Sequence, residues 1–387
     1  MNFIIDMFIV FLSVLYYQTI SFTDEEQLVT FNLKELPKIT DTRLSEIGFS
    51  GIEYISLQTN EKSLIKGITD IKVGNGYFLI QYYNTIMKFN SNGTFVTKIG
   101  REGRGPHEFS VVHYIDIDKN NHKIYLVSAW QRKFFVYSEN GKFIRTIPAP
   151  LNTSHFKITT EGILCYSINS FANVKTSFNL IDTTGLLLKS YPNKYRWNLK
   201  FKNAFVFPQE NIFYKYNDQL FTKEVYSDTI FLFENMLFKP HLVIDEGKRS
   251  ITPKSRSDFS GMQIMERYVI PMNLFEFGDY LYYEFLYNHE YLGFVGSKKS
   301  DYQVLINMEQ GIINDLDGGA NLRPVAIVDD NTIISWVNAL QLKTHVASEE
   351  FKNSKPKYPE KKKELEKLAA SLKETDNPVL VLVRLKE

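Results

Sequence analysis

The chain has 387 residues, of which 44% are apolar and 14% aromatic. That composition excludes disorder over most of the length and favours strands. Lys and Arg number 45 against 44 Asp and Glu, a formal charge of +1, so no long-range field gathers nucleic acid. The single cysteine, Cys165, excludes an internal disulfide and a thiolate-rich metal cluster.

In chain order, the first feature is the apolar run Met7–Tyr17. It falls short of the roughly 20 residues that span a bilayer. Followed by Gln18, Thr19 and Ser21, it fits the hydrophobic part of a secretory signal. Asp6 precedes it, where a positive charge is expected, and a buried N-terminal strand or short helix is the competing reading. Residues 1–21 are therefore expected to be a signal peptide that places the mature chain in the periplasm or on the cell surface. No cysteine follows the run to take a lipid, and no later segment reaches transmembrane length. Residues 22–50 read as an N-terminal extension and 51–387 as the folded domain.

Internal repetition is the strongest signal. Phe89–Ile99, Tyr137–Ile147 and Ile181–Tyr191 each read as strand, glycine turn and strand. Their glycines, Gly93, Gly141 and Gly185, recur roughly 45 residues apart, a propeller-like period. Asn92-Gly93 and Asn140-Gly141 are tight-hairpin pairs, because Asn tolerates and Gly freely adopts positive φ. Two further strands precede each hairpin. In the first unit they are Thr69–Val73 and Tyr77–Ile80, followed by Thr85–Phe89; in the second, Tyr114–Ile117 and Lys123–Val127, followed by Lys133–Tyr137. Four short strands per unit predict a propeller blade.

Blade 3 is expected over about 154–191. Blade 4 is read from Phe205-Val206-Phe207, Ile212–Tyr214, Thr229–Phe233 and His241–Ile244. The segment 245–271 reads as a long polar loop. Blade 5 takes Leu274–Phe277, Tyr280–Phe285, Tyr291–Phe294 and Tyr302–Ile306. Blade 6 has Val325–Val328, Thr332–Val337 and Val379–Val383, with Ile52–Leu57 from the other end of the chain as its fourth strand. Such closure removes an open sheet edge. The interruption at about 339–375 reads as helical, with Leu365, Leu368 and Leu372 on one face. The fold class is all-β: a six-bladed β-propeller with a small helical insertion near the C-terminus.

Three motifs carry a family resemblance: Gly100-Arg101-Glu102-Gly103-Arg104-Gly105-Pro106-His107-Glu108-Phe109, Tyr226-Ser227-Asp228-Thr229-Ile230-Phe231, and Asp376-Asn377-Pro378-Val379-Leu380. From about residue 50 onward the chain resembles the six-bladed propellers, related to NHL-repeat propellers, that are abundant in Bacteroidetes and usually carry export or lipoprotein signals. The resemblance implies a fold and a compartment. It implies no reaction, since propellers host many functions.

In a propeller, loops between second and third strands share a face with loops joining one blade to the next. On that face Tyr83, Arg101, Arg104, Trp130, Arg132, Tyr287 and His289 are the candidate ligand-binding residues. Aromatic rings and guanidinium forks suit a glycan, a peptide or a small anion. The bland readings stand beside this one. The glycine-rich stretch serves as a tight inter-blade turn, Arg101 and Arg104 pair with Glu102 and Glu108, and Trp130 and Tyr287 are packing residues. Asp116–Asn121 looks calcium-like but lacks the rest of such a loop and reads as a polar turn.

No His-Glu-x-x-His spacing, nucleophile elbow, Rossmann fingerprint or P-loop is present, so no cofactor, no metal and no catalytic residue is assigned. The leading expectation is an exported protein that binds a small molecule, glycan, peptide or protein partner. The alternative is a hydrolase or lyase with its site at the central channel.

Overall fold

The computed structural model describes residues 28–200 and 205–386. The expected signal peptide, 1–21, lies outside the described residues.

Among the described residues, twenty-five strands form six sheets. The first strand of each sheet is Asp70–Gly74, Tyr114–Asp118, Thr153–Ile158, Asn211–Tyr216, Ile270–Phe277 and Ala326–Asp329. These strands neighbour one another in that order, and the last returns to the first. The ring is closed, and the molecule is a six-bladed β-propeller. Each blade runs antiparallel from its inner strand outward. Apolar residues from both faces of each sheet pack against the adjacent blades; Ile124, Leu126 and Phe135 of blade 2, for example, meet Leu79 and Ile86 of blade 1.

The repeated hairpins form as their sequences dictate. Gly93 has φ +83°, and a Cβ there would lie 2.1 Å from the Ser56 carbonyl oxygen. The glycine therefore satisfies the turn and also a close approach to the neighbouring blade. Asn92 completes the turn by accepting from the Thr94 backbone N–H at 3.0 Å.

Blade 6 closes as the sequence implies. Val379–Leu385 lies antiparallel between Thr332–Val337 and Phe49–Ser56, with Ile334 opposite Leu382 and Ile52 opposite Val383. The residues before it form a strap. Val29–Asn32 adds to blade 4 as a fifth strand, parallel to Leu237–Asp245. Ile39 then bridges Leu305 of blade 5, and Arg43 bridges Ile313. Helix α1 (Leu44–Ile47) buries Leu44 and Ile47 ahead of the closing strand. Phe31 is buried against Phe294, ring centroids 5.5 Å apart. The chain start thus ties blades 4, 5 and 6 together, and one continuous core runs through them.

Three details differ from the sequence reading. Phe205-Val206-Phe207 is not a strand; Phe205 and Phe207 pack edge to face at 4.9 Å over the blade. The missing strand of blade 4 is Gln219–Glu224, paired with Asn211–Tyr216 through the Asn217-Asp218 turn. Only Leu220 and Phe221 of its six residues are apolar, too few to stand out within 217–228. Residues 245–271 hold a 3-10 turn and two short helices, α2 (Pro253–Asp258) and α3 (Gly261–Arg267). Capping boxes start both helices, Thr252 with Ser255 and Ser260 with Gln263. Helices this short carry no readable apolar period.

The insertion in blade 6 is helical: α4 (Ala339–Ala347), α5 (Glu349–Asn353) and α6 (Pro359–Ser371). Leu365 and Leu372 are buried and Leu368 packs on the same core, so the apolar stripe is covered by the propeller. Among the described residues no helix is long and apolar enough to cross a membrane.

Candidate functional site

Chain direction puts the loops that enter the inner strands and the loops between second and third strands on one face, here the upper face. All seven sequence-selected residues lie on it. Tyr83 and Trp130 occupy loop tips, 69% and 76% exposed. Tyr83, Arg132 and His289 adopt left-handed backbone angles, φ 50°, 52° and 65°, as their tight turns require. Arg101 is paired with Glu108, donating through Nε at 2.8 Å, while Glu108 also accepts from the Gly105 N–H at 2.8 Å. The glycine-rich stretch is thus a turn folded around Glu108. Those bonds hold the Glu108 carboxyl below its ordinary range. Arg104 and Arg132 are exposed. Tyr287 lies beneath the Arg249 guanidinium, 5.4 Å from its ring centre. Tyr83, Arg101, Arg104, Trp130 and Arg132 gather around blades 1 and 2. Tyr287 and His289 belong to blade 5, across the ring. None of the seven lines the central cavity.

That cavity is the central channel, about 1820 Å³, lined by all six inner strands. Its wall has two characters. Blades 1 to 4 supply charge. Lys72 pairs with Asp70 at 2.8 Å and Lys157 with Asp116 at 2.8 Å. The Ile158 N–H donates to the other Asp116 oxygen at 2.8 Å. The Tyr114 ring lies 4.5 Å from the Lys72 ammonium and 5.6 Å from that of Lys157, with His155 edge-on at 5.0 Å. Lys215, from the blade 4 inner strand, is exposed into the lumen. Blades 5 and 6 supply Met272, Leu274, Val325 and Ile327, with Arg323 paired to Glu284 and with Asp329 and Asp330 at the end of the blade 6 inner strand.

The electrostatics follow from this crowding. Burial, with Lys72, His113 and Lys157 adding repulsion, pushes His155 down to about 4, so the imidazole is neutral at pH 7. Burial also lowers His113, whose Nδ1 accepts from the Ala129 N–H at 3.2 Å. Trp130 rests on His113, centroids 5.7 Å apart, and links the rim to the channel. Burial pushes Asp116 up, but Lys157, Lys215 and the Ile158 N–H outweigh it and hold the carboxylate below its ordinary value. Lys215 is lowered by burial among protein groups.

The sequence reading did not single out Lys72, His155, Lys157 or Lys215, and took Asp116 only as part of a polar turn. A signal was present. Ile71-Lys72-Val73, Phe156-Lys157-Ile158 and Tyr214-Lys215-Tyr216 each place a lysine between apolar residues in an inner strand, and Ile115-Asp116-Ile117 does so with an acid. Asp118 makes the expected polar turn, accepting from the Asn121 N–H at 3.0 Å. Cys165 is buried, which pushes its thiol up. Among the described residues, no group of three or more His, Cys, Asp or Glu is arranged to hold a metal ion.

The family model described as a domain of unknown function, DUF4934, matches residues 28–384. The chain belongs to the DUF4934 family. Its fold is similar to the crystal structure of a Bacteroides fragilis NCTC 9343 protein that is named, by inference, as exported. The TM-score is 0.68 and the identity 18%, over 93% of this chain and 99% of that one. It is also similar to a member of the DUF4221 family from Bacteroides vulgatus ATCC 8482, with TM-score 0.52 and 11% identity, over 87% and 97% of the two chains. No curated protein matches the sequence.

The DUF4934 chain carries a second ionic cluster, sealed between blades 3 and 4 and α2. Arg256 and Glu210 are 2.7 Å apart with side chains 0% and 1% exposed. Despite that approach, the facing Glu210 oxygen accepts no hydrogen bond, while its other carboxylate oxygen accepts from the Asn169 N–H at 2.6 Å. Arg256 also donates to the Tyr226 hydroxyl at 2.7 Å and the Phe205 carbonyl at 2.9 Å. Its guanidinium stacks 4.2 Å from Trp197 and 4.7 Å from Phe207. Nearby, burial raises Glu224 to about 7.

Proposed function

We propose that this DUF4934 chain is an exported binding protein that holds its ligand in the central channel, entered past the upper-face rim of Tyr83, Arg101, Arg104, Trp130, Arg132, Tyr287 and His289. The observation that carries the reading is the channel itself. A cavity of about 1820 Å³ exceeds the roughly 300–1,000 Å³ of ordinary ligand pockets, and it is lined by fixed ion pairs and an aromatic ring. Export is supported by the signal-like run Met7–Tyr17 and by the naming of the Bacteroides fragilis relative. Kinship to NHL-repeat propellers is supported by the four-strand period and the Asn-Gly hairpins of blades 1 and 2.

A thermal-shift screen of the purified protein against glycans, peptides and small organic acids tests the binding reading. A ligand that binds only the native state at a hundred times its Kd adds about 2.7 kcal/mol of stability, so at least one class should raise Tm clearly. A flat response to every class overturns the reading. Fractionation of cells that make the full chain tests export, and recovery in the cytoplasm alone overturns that part.

A further inference from the structure

The charges around the channel are not evenly spread. Nine acids and five bases line it. Lys72 with Asp70, Lys157 with Asp116 and Arg323 with Glu284 cancel as ion pairs, and Glu234 is matched by Lys239 from outside the lining. The acids left over are Asp118, Glu161, Asp218, Asp329 and Asp330, against Lys119 and Lys215. All five acids stand in or beside the hairpins that join first to second strands, at the lower mouth. That mouth is acidic and repels anions.

The upper half of the channel is different in kind. Its ions are paired, and the rim arginines lie outside its lining. What remains is a set of neutral hydrogen-bonding side chains: His113 on blade 2, His155 on blade 3, Gln209 and Asn211 on blade 4, and Gln341 on blade 6. His113 Nδ1 already accepts from the Ala129 N–H, which leaves its Nε2–H as a donor. Trp336, half-buried near the upper end of the second strand of blade 6, brings an aromatic ring to the same half of the lumen.

Asn211 is the group that points to a ligand. It is fully buried at the top of the blade 4 inner strand and forms part of the channel wall. Its Oδ1 accepts from the Thr222 hydroxyl at 2.6 Å, while its Nδ2 has no acceptor among the described residues. A buried donor without an acceptor is costly, and a ligand oxygen removes that cost.

We propose that the upper half of the channel binds a neutral oligosaccharide, its hydroxyls on Asn211, Gln209 and His113 and a sugar face on Trp336. This names the ligand class of the binding reading above and rests on it. Amides and neutral imidazoles both donate and accept, as hydroxyls do, and the electron-rich face of an indole receives the C–H face of a sugar ring. These groups come from blades 2, 4 and 6, so they surround the lumen. The volume, beyond that of ordinary ligand pockets, accommodates several linked sugars. A peptide brings a terminal carboxylate and charged side chains, for which the paired ions of the upper half offer no free partner.

Isothermal titration calorimetry of the purified protein with cellohexaose, maltohexaose, mannohexaose and xylohexaose, and with hexagalacturonate and hexaalanine, tests this. At least one neutral hexasaccharide should bind, and hexagalacturonate should bind at least tenfold more weakly. Trp336→Ala should weaken that saccharide at least tenfold, and Trp336→Tyr should restore most of the affinity, which separates stacking from a folding defect. Asn211→Leu combined with Thr222→Val removes the amide without stranding the Thr222 hydroxyl; it should abolish binding while the circular dichroism of the fold is kept. The proposal is overturned if hexagalacturonate equals the best neutral saccharide, or if Trp336→Ala or the Asn211→Leu/Thr222→Val double variant leaves the affinity unchanged. Failure of every saccharide alongside binding of hexaalanine or a Tm rise with an organic acid overturns the carbohydrate and leaves channel binding standing. Failure of every compound removes both.

Discussion

The two ionic clusters use the same parts in opposite settings. Arg256 and Glu210 are sealed under Trp197, Phe207 and Tyr226. Lys157 and Asp116 sit beside Tyr114, on the wall of a wide lumen. In the sealed cluster, no water can replace a lost partner, so the pair is a structural commitment of blades 3 and 4. On the channel wall Lys157 and Asp116 are nearly as buried, with side chains 10% and 7% exposed, but they border a lumen and Asp116 lies in the field of a second lysine, Lys215. Access to the lumen, more than residue type, separates scaffold from site.

The comparison breaks most decisively at Arg256. Arg256→Met leaves the buried Glu210 carboxylate without a counter-charge, held only by its bond from the Asn169 N–H at 2.6 Å, and should cost about 3–5 kcal/mol in urea denaturation. Adding Glu210→Gln should recover a substantial part. Lys157→Met leaves Asp116 its bond from the Ile158 N–H and the nearby Lys215 charge, so the expected loss is about 1–3 kcal/mol. A loss equal to that of Arg256→Met would erase the distinction between the clusters.

The next effect depends on pH. His155 titrates near 4 in the fold against an ordinary 6.5. Between those values the unfolded chain holds a proton that the folded chain lacks. The stabilisation is therefore present above pH 6.5 and is lost as pH falls towards 4. His155→Gln should flatten that acid limb by ~1–2 kcal/mol, after allowance for screening by lumen water. Glu224, raised to about 7 from 4.5, has the opposite sign. Its contribution is present below pH 4.5 and lost as pH rises through 7, so Glu224→Gln should flatten the neutral limb. Stability curves from pH 4 to 8 for the three proteins check both signs. The smallest effect is at Lys215, where Lys215→Met should change stability by less than about 0.5 kcal/mol. A larger loss would mean that Lys215 serves the scaffold.

The legible parts of this molecule are those written in short-range pattern. Asn92-Gly93 and Asn140-Gly141 announced their hairpins because only a few residue types accept those backbone angles. Ile52–Leu57 was recognised as the closing strand because blade 6 lacked a fourth strand, a deficit visible by count. Blade 4 is harder, since Gln219–Glu224 is mostly polar and Phe205-Val206-Phe207 looks like a strand while serving as an aromatic cover. The rim residues share one face, because strand direction alone determines which loops lie together. The channel residues were not found, because each lysine belongs to a different blade and its neighbours in sequence are apolar core residues.

By itself, the sequence determined a ring of four-stranded units, closed by the two ends of the chain. The repeat of turn glycines and alternating strands leaves each blade unable to bury its faces except against its neighbours. Only the tertiary structure decided where charge survives. It set Lys72, Asp116, Lys157 and Lys215 around one lumen, sealed Arg256 away from it, and turned the segment from Val29 to Ser56 into a strap across three blades. The physical reason is that burial and charge pairing depend on distances between blades, and no spacing along the chain encodes those distances.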